Sequence, residues 1–157
     1  MGLLPRARKG PVDEAEYLVD RMVRNVRTGR FERSLSALAG VSALVTGAEV
    51  YFEHYRASFG DPWMWTPVAL TPPLVAAGIG GAFSRSWAKT WLPLTAGLYL
   101  ANGVIGSYFH IRGVGRKPGG WKIANYNVPM GPPLMAPGLM TMVGGMGLLA
   151  AVLRRER

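Results

Sequence analysis

The chain has 157 residues, about one domain's worth, with 49% apolar residues, no cysteine and a formal net charge of +9. The lack of cysteine excludes a disulfide framework, Cys-ligated zinc and a thiol nucleophile. The basic balance invites a nucleic-acid partner, but thirteen of the eighteen Lys and Arg fall in residues 1–33, 84–90 and 154–157, as a membrane topology would place them, so no nucleic acid is expected.

Residues 1–33 are polar and basic and have no apolar core of the signal-peptide kind, so the first apolar helix is expected to act as an uncleaved insertion signal. Within them, residues 11–29 form an amphipathic helix: Ala15, Leu18, Val19, Met22, Val23 and Val26 share one face. Asp13 and Glu16 suit its start, and Arg24, Arg27 and Gly29 its end. It is expected to lie in a membrane interface with its arginines against anionic headgroups, partner docking being the alternative.

Four apolar segments follow, Leu35 to Phe52, Pro67 to Phe83, Trp91 to Phe109 and Pro132 to Leu153. Each holds roughly 17 to 22 residues, enough helix to cross a hydrocarbon core. The 21 glycines and 12 prolines would signal loops in a soluble chain, whereas membrane helices use glycine for close packing and tolerate proline. The first helix, from about Ser34, carries Ala39, Ala43 and Gly47 at four-residue steps and then Glu49, Glu53 and His54. Glu49 is expected below the interface, where an ionisable group marks a functional site unless it is protonated or paired with Arg56 or Arg112. The loop after it has the turn Gly60-Asp61-Pro62 and the interfacial anchors Trp63 and Trp65. Pro72-Pro73 predict an irregular or late start to the second helix, and Trp87 and Trp91 bracket the next short loop.

The third helix holds Asn102 deep in the span, with Gly97, Gly103 and Gly106. Gly113, Gly115, Gly119 and Gly120 lack the spacing of a phosphate cradle and predict an ordered lid or partner-binding loop. In the fourth helix Met135, Met142 and Met146 share a face; a Cu(I) path is conceivable, but plastic packing is the expectation.

Two stretches resemble each other internally. Gly47, His54 and Arg56 recur as Gly103, His110 and Arg112 at an offset of 56, and Pro72-Pro73-Leu74 recurs as Pro132-Pro133-Leu134 at 60. The only two histidines thus occupy equivalent positions, expected at one depth near the outer surface. Gly47, Gly103 and Gly106 leave little bulk beneath them, so a b-type haem held between His54 and His110 is one expectation. Others are a metal bound by the pair and a carboxylate, quinone or proton handling by Glu49, Glu53 and Asn102, and a purely structural pair.

No HExxH helix, nucleotide loop or nucleophile motif is present. The chain therefore reads as an all-α integral membrane protein with four transmembrane helices in two tandem hairpins, residues 34–83 and 90–153, behind a cytoplasmic segment 1–33. Both termini are expected in the cytoplasm of a bacterial-type inner membrane. The expected role is a non-catalytic subunit anchoring or completing a larger, respiratory or redox complex, with lipids and protein partners and no obligatory cofactor. The alternative is a small haem-, metal- or quinone-handling protein acting through the histidine pair.

Overall fold

A computed structural model describes residues 10–154; the basic positions of residues 1–9 and of 155–157 lie outside the described residues. The helices are α1 (Pro11–Arg27), α2 (Arg30–Arg56), α3 (Trp65–Phe83), α4 (Arg85–Lys89), α5 (Trp91–Gly115), α6 (Ala124–Asn127) and α7 (Met135–Leu153), with 3-10 turns at Pro62–Met64 and Gly120–Ile123 and no strand among the described residues. α2 packs along α3, and α5 along α7; contacts of α2 with α7 and of α3 with α5 close the ring. Each of these helices therefore has two neighbours, and α2 and α5 stand at opposite corners.

Arg30–Arg56, Pro62–Phe83 and Met135–Leu153 are long and apolar enough to cross a membrane. α5 has the length, at 25 residues, but Asn102, Ser107, His110 and Arg112 dilute its apolar run. Burial is the reverse of a water-soluble bundle. Small residues fill much of the interior, with Ala39, Ala43 and Ala96 0% exposed beside Leu74, Leu92 and Tyr99, while Phe83 is 85% exposed. Leu44, Val45, Met142 and Val152 also point outward. In water such a surface would drive association; in lipid, where tails are as apolar as leucine, close packing of small residues holds helices together.

α2 and α3 approach closely at Gly40 and Gly78. A Cβ on Gly78 would lie 2.6 Å from the Gly40 Cα and backbone N, and Ser36 Oγ donates across the same seam to the Gly78 carbonyl at 2.7 Å. Gly144 plays the corresponding part between α7 and α5, its Cβ position 2.6 Å from the Leu100 N.

Several boundaries differ from the sequence reading. α1 ends at Arg27, because Thr28 Oγ1 caps the Arg24 carbonyl and Gly29 turns left-handed at φ 70°. α2 starts at Arg30, four residues before Ser34, and buries Glu32 in its added turn. α3 starts at Trp65 and runs unbroken through Pro72 and Pro73. The feature matched at an offset of 60 is not structurally equivalent, since Pro72-Pro73-Leu74 lies within α3 and Pro132-Pro133-Leu134 precedes α7. The two helices, each 19 residues, begin seventy residues apart at Trp65 and Met135. The loop before α7 absorbs the additional length. It is ordered, with Asn127 Nδ2 donating to the carbonyls of Pro118 (3.0 Å) and Gly120 (2.8 Å).

A single methyl separates tight from open glycines. Gly78→Ala should destabilise the bundle by about 1–3 kcal/mol through overpacking. Gly138→Ala, with nothing within 4 Å of its Cβ position, should not. Thermal unfolding of the two variants in one detergent checks this; equal midpoints would remove the Gly40–Gly78 seam from the account.

Candidate functional site

The C-terminal ends of α2 and α5 and the N-terminal ends of α3 and α7 meet at one end of the bundle. They frame a half-open cavity of about 630 Å³. Its walls are mostly apolar: Val50 from α2, Pro67 from α3, Ile105 and Phe109 from α5, and Ala136, Pro137 and Met140 from α7. Glu53, His54, Asn102, Gly106, His110 and Lys117 add polar or open positions.

Both histidines reach this cavity, and both are held in the same way. His54 Nδ1 lies 2.7 Å from the carbonyl oxygen of Met64, the residue before α3. His110 Nδ1 lies 2.8 Å from the carbonyl oxygen of Pro133, two residues before α7. A carbonyl oxygen only accepts, so Nδ1 carries the proton in each ring and donates. Nε2 then keeps its lone pair in the neutral imidazole, and neither Nε2 has a hydrogen-bond partner among the described residues. Each histidine so ties the last turns of one helix to the start of the next.

The turn after α2 helps to set His54. Ser58 and Phe59 take left-handed conformations at φ 57° and 45°, a strained arrangement for residues with side chains. Phe59 stacks on Trp65 at 3.9 Å and meets the His54 ring edge-on at 6.1 Å. Asp61 Oδ1 accepts from the Trp63 N–H at 2.9 Å and fixes the following 3-10 turn.

The other sequence-derived candidates divide. Glu53 lines the cavity and forms an ion pair with Arg56, whose side chain is mostly exposed. Asn102 lines it too, and its Nδ2 donates to Thr66 Oγ1 at 2.8 Å. Gly106 also lies on the lining, where a Cβ would come 3.1 Å from the Pro137 Cβ. Gly47 and Gly103 do not: the space beside Gly47 is filled by the Thr71 side chain, and a Cβ on Gly103 would lie 2.6 Å from Thr141 N and 2.7 Å from Pro137 O. They serve helix packing, and the room at the site comes from the gap between helices. Glu49 is exposed on the outside of α2, away from the cavity, and pairs with neither Arg56 nor Arg112. A mononuclear metal held by the histidines and a carboxylate lacks its ligands, since no group of three His, Cys, Asp or Glu among the described residues can hold an ion. The Met135 and Met142 side chains point outward, so the methionine face is no internal path; Met140, off that face, is the one that lines the cavity.

Some polar residues carried no signal in the sequence. Thr71 Oγ1 donates to the Pro67 carbonyl at 2.9 Å and lies 3.4 Å from the hydroxyl of Tyr99, which is fully buried. At the opposite end of the bundle Glu32 is 1% exposed, with Oε2 unpartnered among the described residues. There Arg154 Nη1 donates to the Gly81 carbonyl at 3.0 Å and Lys89 Nζ to the Ala151 carbonyl at 2.7 Å. These long-range bonds to helix-terminal carbonyls depend on tertiary neighbours that no local spacing reveals.

No protein-family model, curated protein or solved structure matches the chain.

Proposed function

We propose that the protein is a non-catalytic, integral membrane subunit of a larger redox-type assembly, with a ligand cavity on its outer side. It would cross a bacterial-type inner membrane four times, as the hairpins α2–α3 and α5–α7, with both termini in the cytoplasm and α1 lying in the interface. The observation that carries this reading is that His54 and His110, one from each hairpin, line one half-open cavity. A purely structural pair would need no such space beside it.

Other features support parts of the reading. The excess of Lys and Arg in residues 1–33, 84–90 and 154–157 favours a cytoplasmic position for these segments. α5 gains a partner for Asn102 in Thr66 of α3, which lowers the cost of carrying an amide across the membrane. A duplicated hairpin accounts for matching helix partners: Gly47 lies against Thr71 as Gly103 lies against Thr141, and each threonine back-bonds to a proline carbonyl four residues earlier. α1 buries none of its residues and leaves Leu18, Val19, Met22, Val23 and Val26 exposed, as an interfacial helix would.

Glu49 favours a subunit over a lone protein. It is seven residues below the end of α2, about 10 Å by helical rise, on a face with Val45 and Phe52. A carboxylate facing hydrocarbon is costly, so a donor from a neighbouring helix is expected to cover it.

Two measurements test this. Ser58→Cys and Lys122→Cys should react with an impermeant thiol reagent from outside only, and Ser86→Cys from the cytoplasm only; all three positions are exposed. Labelling of Lys122→Cys from the cytoplasm would leave α5 uncrossed and sink the four-span topology. The protein extracted from its native membrane in mild detergent should migrate as an assembly larger than a monomer. Glu49→Leu should shift most of it to monomer, and a monomeric unmodified protein would contradict the subunit reading.

A further inference from the structure

We infer that the cavity is a b-type haem site in which His54 Nε2 and His110 Nε2 are the two axial ligands. This rests on the ligand-cavity reading above and names its occupant.

The ligand chemistry follows from the imidazoles. A metal-bound histidine offers one nitrogen to the metal while the other donates to a carbonyl or carboxylate, which fixes tautomer and ring orientation. Both histidines already have that outer contact, with Nδ1 on Met64 O and on Pro133 O. What remains on each ring is a lone pair beside a largely apolar cavity. Such a lone pair is available to a Lewis acid.

The number of ligands selects the kind of Lewis acid. A bare ion wants three or four protein ligands, and no third His, Cys, Asp or Glu joins the pair among the described residues. An iron porphyrin brings four nitrogens of its own and needs only two more, on opposite sides of its plane. The two histidines stand on α2 and α5, the diagonal corners of the ring, and so reach the cavity from opposite sides. With neighbouring axes about 10 Å apart the diagonal is about 14 Å, a gap that two imidazole side chains with an iron between them fill.

Size and surroundings agree. The cavity of about 630 Å³ is in the range of cofactor sites, and Val50, Ile105, Phe109 and Met140 give the macrocycle apolar walls. Lys117, also on the lining, offers a cation to the propionates. With no cysteine in the chain, thioether attachment is excluded, which leaves the non-covalent b type.

The test adds hemin to the full chain purified in mild detergent and reads the absorption spectrum. One equivalent should give a six-coordinate, low-spin spectrum with a sharpened Soret band and, on dithionite reduction, a b-type α-band. His54→Ala and His110→Ala should each lower hemin affinity at least tenfold, and added imidazole should restore the low-spin spectrum in both. A folded unmodified protein that takes up no hemin overturns the inference, whatever the variants do. Uptake unchanged by either substitution overturns it too, as binding at some other surface. Titration with decylubiquinone, read by quenching of tryptophan emission that Trp63 on the cavity lining should report, separates the two readings. Quinone binding without hemin binding sinks the haem site and leaves the ligand cavity standing, whereas failure of both probes removes the cavity reading as well.

Discussion

Backbone-to-backbone contact between helices is the constraint on which the rest depends. In hydrocarbon there is no solvent penalty that drives apolar side chains inward, so the helices are held by dispersion at short range and by a few interhelical hydrogen bonds. The Gly40–Gly78 crossing brings α2 and α3 as close as two backbones come, and Gly144 against Leu100 does the same for α7 and α5. Ser36, Arg154 and Lys89 add bonds to carbonyls of other helices at the end where α2 begins and α7 finishes. Zipped along these seams, the helices have little space between them for about half their length.

At the other end the same helices separate. Proline crowds the starts of α3 and α7, and bulky Pro67, Pro137, Ile105 and Phe109 stand where glycine and alanine stood below. The histidines bridge across this wider part from a ring nitrogen to a carbonyl, which keeps each hairpin closed while the gap between hairpins stays open. One side chain so has two ends: Nδ1 holds the fold, and Nε2 keeps a lone pair with no protein partner among the described residues. The arrangement needs both roles only if something occupies the space, and that asymmetry is why the site is proposed to bind a ligand.

How much of this was legible in the sequence varies with the range of the interaction. The helices and the small-residue stripe Ala39–Ala43–Gly47 are local or periodic, and pattern alone exposed them. The offset of 60 failed because Pro-Pro-Leu is a short, common string: in one place it sits within α3, in the other it precedes α7. Under the proposed duplication Pro67-x-x-x-Thr71 would correspond to Pro137-x-x-x-Thr141, a match of two residues that only the packing against Gly47 and Gly103 picks out. Glycine itself was ambiguous. Gly47 and Gly103 looked like space for a ligand and are instead filled by Thr71, Thr141 and Pro137, because an absent side chain invites whichever neighbour is nearest. Glu49 was placed at a site by its depth alone; it lies one turn below Glu53 on nearly the same side of α2, and that this side is exposed at its level needed the neighbouring helices to be known.

The state of the two imidazoles is the point on which the account turns, and nitrogen-15 NMR of histidine side chains reads it directly. With two histidines in the chain, one His54→Gln variant assigns both rings. In the ligand-free protein at pH 8 the account predicts the Nδ1–H tautomer for both, with Nε2 unprotonated. Nε2–H tautomers, or rings that average between the two forms as free imidazole does, would contradict it.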